Sequence, residues 1–488
     1  MALSTTIKSI QDIMRQDAGV DGDAQRIAQL VWMLFLRIFD AKEEEYEWEP
    51  TYRSPIPAEL RWRTWAADDE GMTGDELLDF VNNRLFPGLK GLALEPGDDP
   101  RGFIVRDIFA DSYNYMKSGT LMRQVINKIN TIDFHSSGDR HLFNDIYEKI
   151  LRDLQSAGNA GEYYTPRAVT QFMADMVDPE PGEVVLDPAC GTAGFLVCAL
   201  EILRKKMDDR LRIAQAAAGL SQSIRGIEKK PLPHMLAMTN LILHGIEMPQ
   251  IARDNGLTRY AYRDITDAQR VDVVLTNPPF GGTEEPGIES GFPQSFQTKE
   301  TADLFLVLIM RILKEGGRAA VVLPDGSLFG EGVKTRIKER LLETCNLHTI
   351  VRLPNGVFSP YTGINTNLLF FTKGEPTEEI WYFEHPLPAD RKQYSKTRPI
   401  ALAEFELEKA WWNNRAESEH AWRVPIDEIK ARNYNLDIKN PNVEDPTHGD
   451  PVKLLAHYRR LQDEIAAARD ALRDELAAAL EGSVRRDA

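Results

Sequence analysis

Asn277-Pro278-Pro279-Phe280 closes an apolar stretch, 271–276 (VDVVLT), that reads as a buried strand. Two consecutive prolines hold the backbone extended and remove two amide donors. What remains there is acceptors: the Asn277 side-chain oxygen and the Pro278 carbonyl, aimed out of the strand end. Two acceptors converging on one point suit a group with two hydrogens to give, an amine above all. Phe280 adds a flat face on which a planar base would stack.

Upstream, Asp187-Pro188-Ala189-Cys190-Gly191-Thr192-Ala193-Gly194-Phe195 follows a short strand at 183–186 (EVVL). Gly191 and Gly194 let the backbone approach a ligand, and Asp187 at the strand tip can accept hydrogen bonds from it. A tight strand-to-helix turn needs glycine in any case, so the turn alone names no ligand. Glu228 ends the next strand, 223–228, where a carboxylate can accept both hydroxyls of a ribose; a solvated strand-end acid is the plainer alternative. No Gly-x-x-x-x-Gly-Lys-Ser/Thr loop occurs, which argues against a P-loop nucleotidase. Asp264 lies in a polar stretch, either as a surface acid or as a ligand contact. Tyr163 and Tyr164 are either core aromatics or part of a ligand loop, and Gly161 before them and Thr165-Pro166 after them favour the loop.

These residues need a frame to converge. Strands are expected at 183–186, 223–228, 271–276, 318–323, 348–353 and 367–371, with helices between them from Phe195 and over 231–244. The alternation predicts a doubly wound, mostly parallel α/β sheet covered on both faces. Residues 1–140 read as a helical domain, with apolar spacing of three and four over 27–38 and again over 121–132. Helix is expected at 143–154, a small-residue loop at 156–161, and an edge strand at 380–383. The stretch 391–398 carries four basic residues around Tyr394. A linker rich in Asn, Pro and Asp, 440–450, leads to a strong helix over 451–482, whose Leu454, Tyr458, Leu461, Ile465, Ala468 and Leu472 follow a coiled-coil seam.

The 488 residues carry 58 basic and 75 acidic side chains, a net charge of −17. A chain that grips nucleic acid unaided is usually basic, so any such contact is local or shared with a partner that brings the positive charge. Three cysteines make no disulfide framework and have no metal-ligand spacing. The longest apolar run, within 30–39, is too short to span a bilayer, and 1–10 lacks the pattern of a secretory signal. A cytoplasmic protein without membrane contact is the expectation.

The order of these motifs resembles an amino-methyltransferase. Over nearly its whole length the chain resembles the modification subunit of type I restriction-modification systems, adenine-N6 DNA methyltransferases of the gamma arrangement. The resemblance implies S-adenosylmethionine as cofactor, held by Glu162, Tyr163, Tyr164, Thr165, Pro166 and Arg167 and by Asp187, Ala189, Gly191, Thr192, Ala193, Gly194 and Phe195. Glu228 matches the ribose acid, Asp264 the acid near the cofactor's adenine, and Asn277–Phe280 the catalytic tetrapeptide. It places a methyltransferase domain at 145–438 and a docking helix at 451–482. Segments 303–305, 316–330 and 362–367 look like later family segments, the last with no distinct role. Partners implied are double-stranded DNA, a DNA-recognition (specificity) subunit with two copies of this chain, and a restriction subunit in the full complex.

On this reading the adenine amine, a poor nucleophile, is drawn toward tetrahedral geometry by Asn277 and the Pro278 carbonyl, and the methyl group transfers in line. The base must first leave the duplex. Protein glutamine and RNA adenine methyltransferases share the tetrapeptide logic, and an inactive scaffold of a defence complex is a third alternative. Chain length, the 161–167 segment and the helical N-terminal region weigh against the glutamine enzyme.

Overall fold

Val, Ile and Leu dominate the segments that build the centre of the molecule, and in the computed structural model they form one nine-stranded sheet. The model describes residues 3–95, 97–132, 134, 164–207, 216–359, 362–395, 397–442 and 451–484. The expected helix at 143–154, the loop at 156–161, Glu162, Tyr163 and most of the 440–450 linker lie outside the described residues.

The strands are β1 (Val185–Asp187), β2 (Ile224–Glu228), β3 (Gln250–Arg253), β4 (Val271–Thr276), β5 (Leu313–Pro324), β6 (Cys345–Arg352), β7 (Thr366–Lys373), β8 (Glu379–Glu384) and β9 (Ala421–Pro425). Their spatial order is β3-β2-β1-β4-β5-β7-β6-β8-β9. The first five run parallel, while β7 is antiparallel to both of its neighbours, β5 and β6. Strand order therefore reverses between β1 and β4, so the carboxyl ends of those two strands flank the crevice where open α/β sheets hold their ligands. Residues 380–383 do form a strand, but not an edge: β8 pairs with β6 on one side and β9 on the other. The edge on that side is β9, which the weak pattern beyond residue 374 does not announce.

In the N-terminal region helices α1 (Leu3–Met14), α2 (Asp23–Tyr46), α3 (Trp62–Trp65), α4 (Gly74–Phe80), α5 (Phe86–Lys90), α6 (Arg101–Ala110) and α7 (Gly119–Asn130) enclose Trp32, Phe35, Phe86 and Phe109. Two polar devices fix this bundle. The Asp17 carboxylate accepts from the amides of Gly19, Lys117 and Ser118, and the buried Arg123 guanidinium donates to the carbonyls of Trp65, Ala66, Asp68 and Met72.

Around the strands come α8 (Arg167–Val177), just before β1, then α9 (Gly194–Lys206), α10 (Ala216–Ser223), α11 (Pro231–Leu243), α12 (Thr301–Ile312), α13 (Asp325–Phe329), α14 (Val333–Thr344), α15 (Glu406–Trp412) and, after β9, α16 (Ile426–Ala431). Helix α11 packs on α2 and α6, His234 lies 3.5 Å from Asp107, and Arg253 pairs with Asp111. Helical region and sheet thus belong to one compact unit, Met1–Ile438. The second unit, Lys439–Ala488, carries α17 (Pro451–Val484), along which Leu454, Tyr458, Leu461, Ile465 and Leu472 are exposed.

Candidate active site

β1 ends at Asp187, whose carboxyl is wholly buried between two donors. Thr276 Oγ1 donates to Oδ1 at 2.7 Å and the Ala189 amide at 3.1 Å. Burial, opposed by those two bonds and reinforced by Glu228, pushes the Asp187 pKa up to about 7. The chain then turns sharply. Gly191 has φ +53° and Ala193 φ +66°, both in the left-handed region, before α9 begins at Gly194. Among the described residues no atom comes within 4 Å of where a Gly191 side chain would begin, so the cradle is open to them at that point.

Glu228 at the end of β2 belongs to the same turn. Its carboxylate accepts from the Gly191 amide at 2.9 Å and the Lys230 amide at 2.8 Å. The Thr192 carbonyl is held by the Asn240 side chain from α11. Phe195 and the thiol of Cys190 pack beneath, and Cys190 lies so close to Gly226 that a side chain there would stand 2.9 Å from its sulfur. Burial, with the Asp187 and Glu228 carboxylates nearby, raises the Cys190 pKa well above the ordinary thiol value.

Gly194 is under less constraint. It is not the residue that the turn requires, because a side chain there would meet only the Thr170 methyl at 3.7 Å. The conformational demand falls on Gly191 and on Ala193.

Asn277 is the second focus. β1 and β4 are adjacent, so the tetrapeptide leaves the sheet beside the Asp187 turn. Asn277 is 8% exposed; its Nδ2 donates to Thr165 Oγ1 at 2.9 Å, and its Oδ1 is buried with no hydrogen-bond partner among the described residues. Phe280 is buried too, set edge to face against Phe358 with ring centroids 6.1 Å apart, so the pair forms an aromatic wall rather than a free stacking face.

The other expected residues separate. Tyr164 packs partly buried against the core and Pro166 starts α8. Arg167 turns to Glu201 on α9 at 2.9 Å, an ion pair that clamps two helices. Asp264 stands exposed on a short 3-10 turn and touches none of the other site residues. Another acid, Asp254, lies nearer the turn. Asp254 follows β3 directly, its amide donating to the Glu228 carbonyl, and Gly256 is pressed so close to the Pro188 carbonyl that a side chain would stand 2.2 Å from the oxygen. Recognising β3 as a strand would have pointed to Asp254.

The later segments frame the site. Asp303 is held by Lys334 at 2.8 Å and by the Ser327 hydroxyl. Asn367, in the 362–367 segment, donates to Asp325 at 2.7 Å and so fastens the start of β7 to the end of β5. No helix among the described residues is long and apolar enough to cross a membrane.

A switch-point sheet with an open glycine turn, a strand-end carboxylate on that turn and Asn-Pro-Pro-Phe beside it defines an amino-methyltransferase fold and site. Residues 138–449 match the family model of N-6 DNA methylases, and 3–129 match the HsdM N-terminal domain. The methylase subunit of the type I restriction enzyme EcoEI of Escherichia coli is 59% identical over 99% of both chains, and that of EcoKI from strain K12 is 29% identical over 77% of this chain and 69% of that one. A chain solved in work on complex assembly and conformational transition of the type I R-M system superposes with a TM-score of 0.81 at 39% identity, covering 98% of each. The protein belongs to the methylase subunits of type I restriction enzymes, with an N6-adenine DNA methyltransferase domain.

Proposed function

We propose that this subunit methylates N6 of an adenine flipped out of duplex DNA, using S-adenosylmethionine, and thereby protects host DNA within a restriction-modification complex. One observation carries the reading. The Asn277 amide donor is engaged by Thr165 while its Oδ1 is desolvated and unpaired, a costly state that an incoming amine relieves. Bound S-adenosylmethionine would supply an electrophilic methyl group.

The chain's own residues do the positioning. Asn277 Oδ1 and the Pro278 carbonyl accept the two amine hydrogens, which localises the nitrogen lone pair toward the methyl group. Gly191 and Ala193 shape the open turn, and Glu228, facing that turn, is the acceptor for ribose hydroxyls. Phe280 and Phe358 wall the base pocket and exclude water. As in the resembled family, the exposed apolar seam of α17 docks a specificity subunit that chooses the sequence, with two copies of this chain per complex and a restriction subunit added for cleavage.

The test is methyl transfer from tritiated S-adenosylmethionine by this chain, alone and with whatever subunits co-purify with it, to duplex DNA and to RNA. Label recovered as N6-methyladenine in DNA is expected. Label in RNA or in protein, or none with the complete complex, would overturn the proposal.

A further inference from the structure

The basic stretch 391–398 is not part of the site described above, yet it stands next to it. The connection runs through three contacts. Phe280 of the tetrapeptide meets Phe358. Phe358 belongs to the loop leaving the carboxyl end of β6, and Asn355 in that loop accepts from the Tyr394 amide at 3.2 Å. Gly356, with φ +83°, passes so close that a side chain would stand 2.2 Å from the Tyr394 carbonyl oxygen.

Tyr394 roots the stretch. It is fully buried; its hydroxyl donates to Glu404 at 2.6 Å and lies 3.2 Å from His385 Nε2, whose other ring nitrogen meets Glu408 at 2.5 Å. Beyond it, Ser395 and Arg398 bond to each other through both backbone amides and close a tight turn. The described residues of the segment are therefore tied to the core by a buried anchor.

Its cations are not equivalent. Arg391 is largely covered, 3.1 Å from Asp390 and 3.9 Å from Glu404, and is used internally. Arg398 is two-thirds exposed, with Asp390 only at 3.9 Å. Lys392 is exposed and pairs with no acid among the described residues. Two exposed cations thus flank Tyr394, whose backbone abuts the loop carrying Phe358, in a chain whose net charge is −17. Phosphates can approach such a chain only where local cations offset its repulsion.

We infer that Lys392 and Arg398 form a phosphate-binding strap that grips the DNA backbone beside the flipped nucleotide. The inference rests on the DNA-methylation reading above and adds to it a surface that positions the duplex. Such contacts are independent of base sequence.

The experiment uses the complete complex, a labelled duplex of arbitrary sequence, and the double variant Lys392→Gln/Arg398→Gln. Dissociation constants are measured between about 50 and 200 mM salt, where each lost phosphate contact lowers the log–log slope by about 0.9. The expected result is a slope smaller by about 1 to 2, weaker DNA binding at low salt, and unchanged S-adenosylmethionine affinity and subunit assembly. An unchanged slope overturns the inference. So does loss of assembly with an unchanged slope, which would assign the stretch to an acidic protein surface. Wild-type complex that binds DNA but methylates no adenine in unmodified genomic DNA would overturn the proposed function instead, leaving the slope to report on the strap.

Discussion

The Thr165 hydroxyl and the Asn277 side-chain amide, 112 residues apart in the chain, are hydrogen-bonded at 2.9 Å. The bond spans from the segment before α8 to the end of β4, and it decides which end of the Asn277 amide faces the crevice. Thr165→Val should therefore lower the rate of methyl transfer by about 10- to 100-fold, the cost of leaving one buried donor unpaired, while S-adenosylmethionine binding is kept. Thr165→Ser should restore the rate. Asn277→Ala should abolish transfer outright with cofactor binding intact. Isothermal titration beside a tritium-transfer assay reads both quantities, and wild-type turnover by the alanine variant would remove Asn277 from the mechanism.

Asp187 makes stability depend on pH in an unusual direction. Its folded pKa, near 7 because of burial, lies above the unfolded value of 3.8, so between the two the folded state holds the extra proton. The stabilising contribution is complete below the unfolded value and is lost as pH rises toward 7. Asp187→Asn keeps an oxygen for Thr276 and Ala189 without the charge. Relative to wild type, its melting temperature without cofactor should rise between about pH 5 and about pH 8, by an amount equivalent to a few kcal/mol. A constant difference across that range would refute the assignment.

The two glycines of the turn should respond differently. Gly191→Val forces a branched side chain into a left-handed backbone and into the open cradle, and should eliminate measurable S-adenosylmethionine binding. Gly194→Ala adds a methyl group with ordinary contacts and should bind within a few-fold of wild type. Equal losses at both positions would contradict the geometry.

Removing α17 by truncation before Pro451 should leave S-adenosylmethionine affinity unchanged, since every candidate cofactor residue lies in the unit ending at Ile438. Assembly with the co-purifying subunits should fall sharply. Size-exclusion chromatography of the truncated chain with those subunits gives the answer, and undiminished assembly would place the docking surface elsewhere.

Much of this was legible in the chain because burial leaves a period in the residues. VDVVLT at 271–276 is β4 residue for residue, and α11 and α17 end within two residues of their expected limits. β3 was not legible. Its four residues, Gln-Ile-Ala-Arg, bury only Ile251 and show no pattern, so nothing in the sequence marks Asp254 as the end of a strand beside the turn. β9 was hidden for a similar reason, being a short edge strand that ends in proline. The Thr165–Asn277 bond and the Phe280–Phe358 wall join segments distant in sequence, and no local periodicity encodes such partnerships.

Cys190 sits inside the glycine turn, held as the neutral thiol chiefly by its burial and further by the Asp187 and Glu228 carboxylates beside it. Peroxides and alkylating agents attack the thiolate, and neither the ionised form nor a path to it is offered here. Cofactor affinity should accordingly be unchanged after peroxide treatment that oxidises exposed thiols, and a loss reversed by reductant would show otherwise. A sulfur at the heart of the site is thus expected to pack rather than react, so that the proposed methyl transfer should withstand oxidative swings that disarm thiol-dependent enzymes.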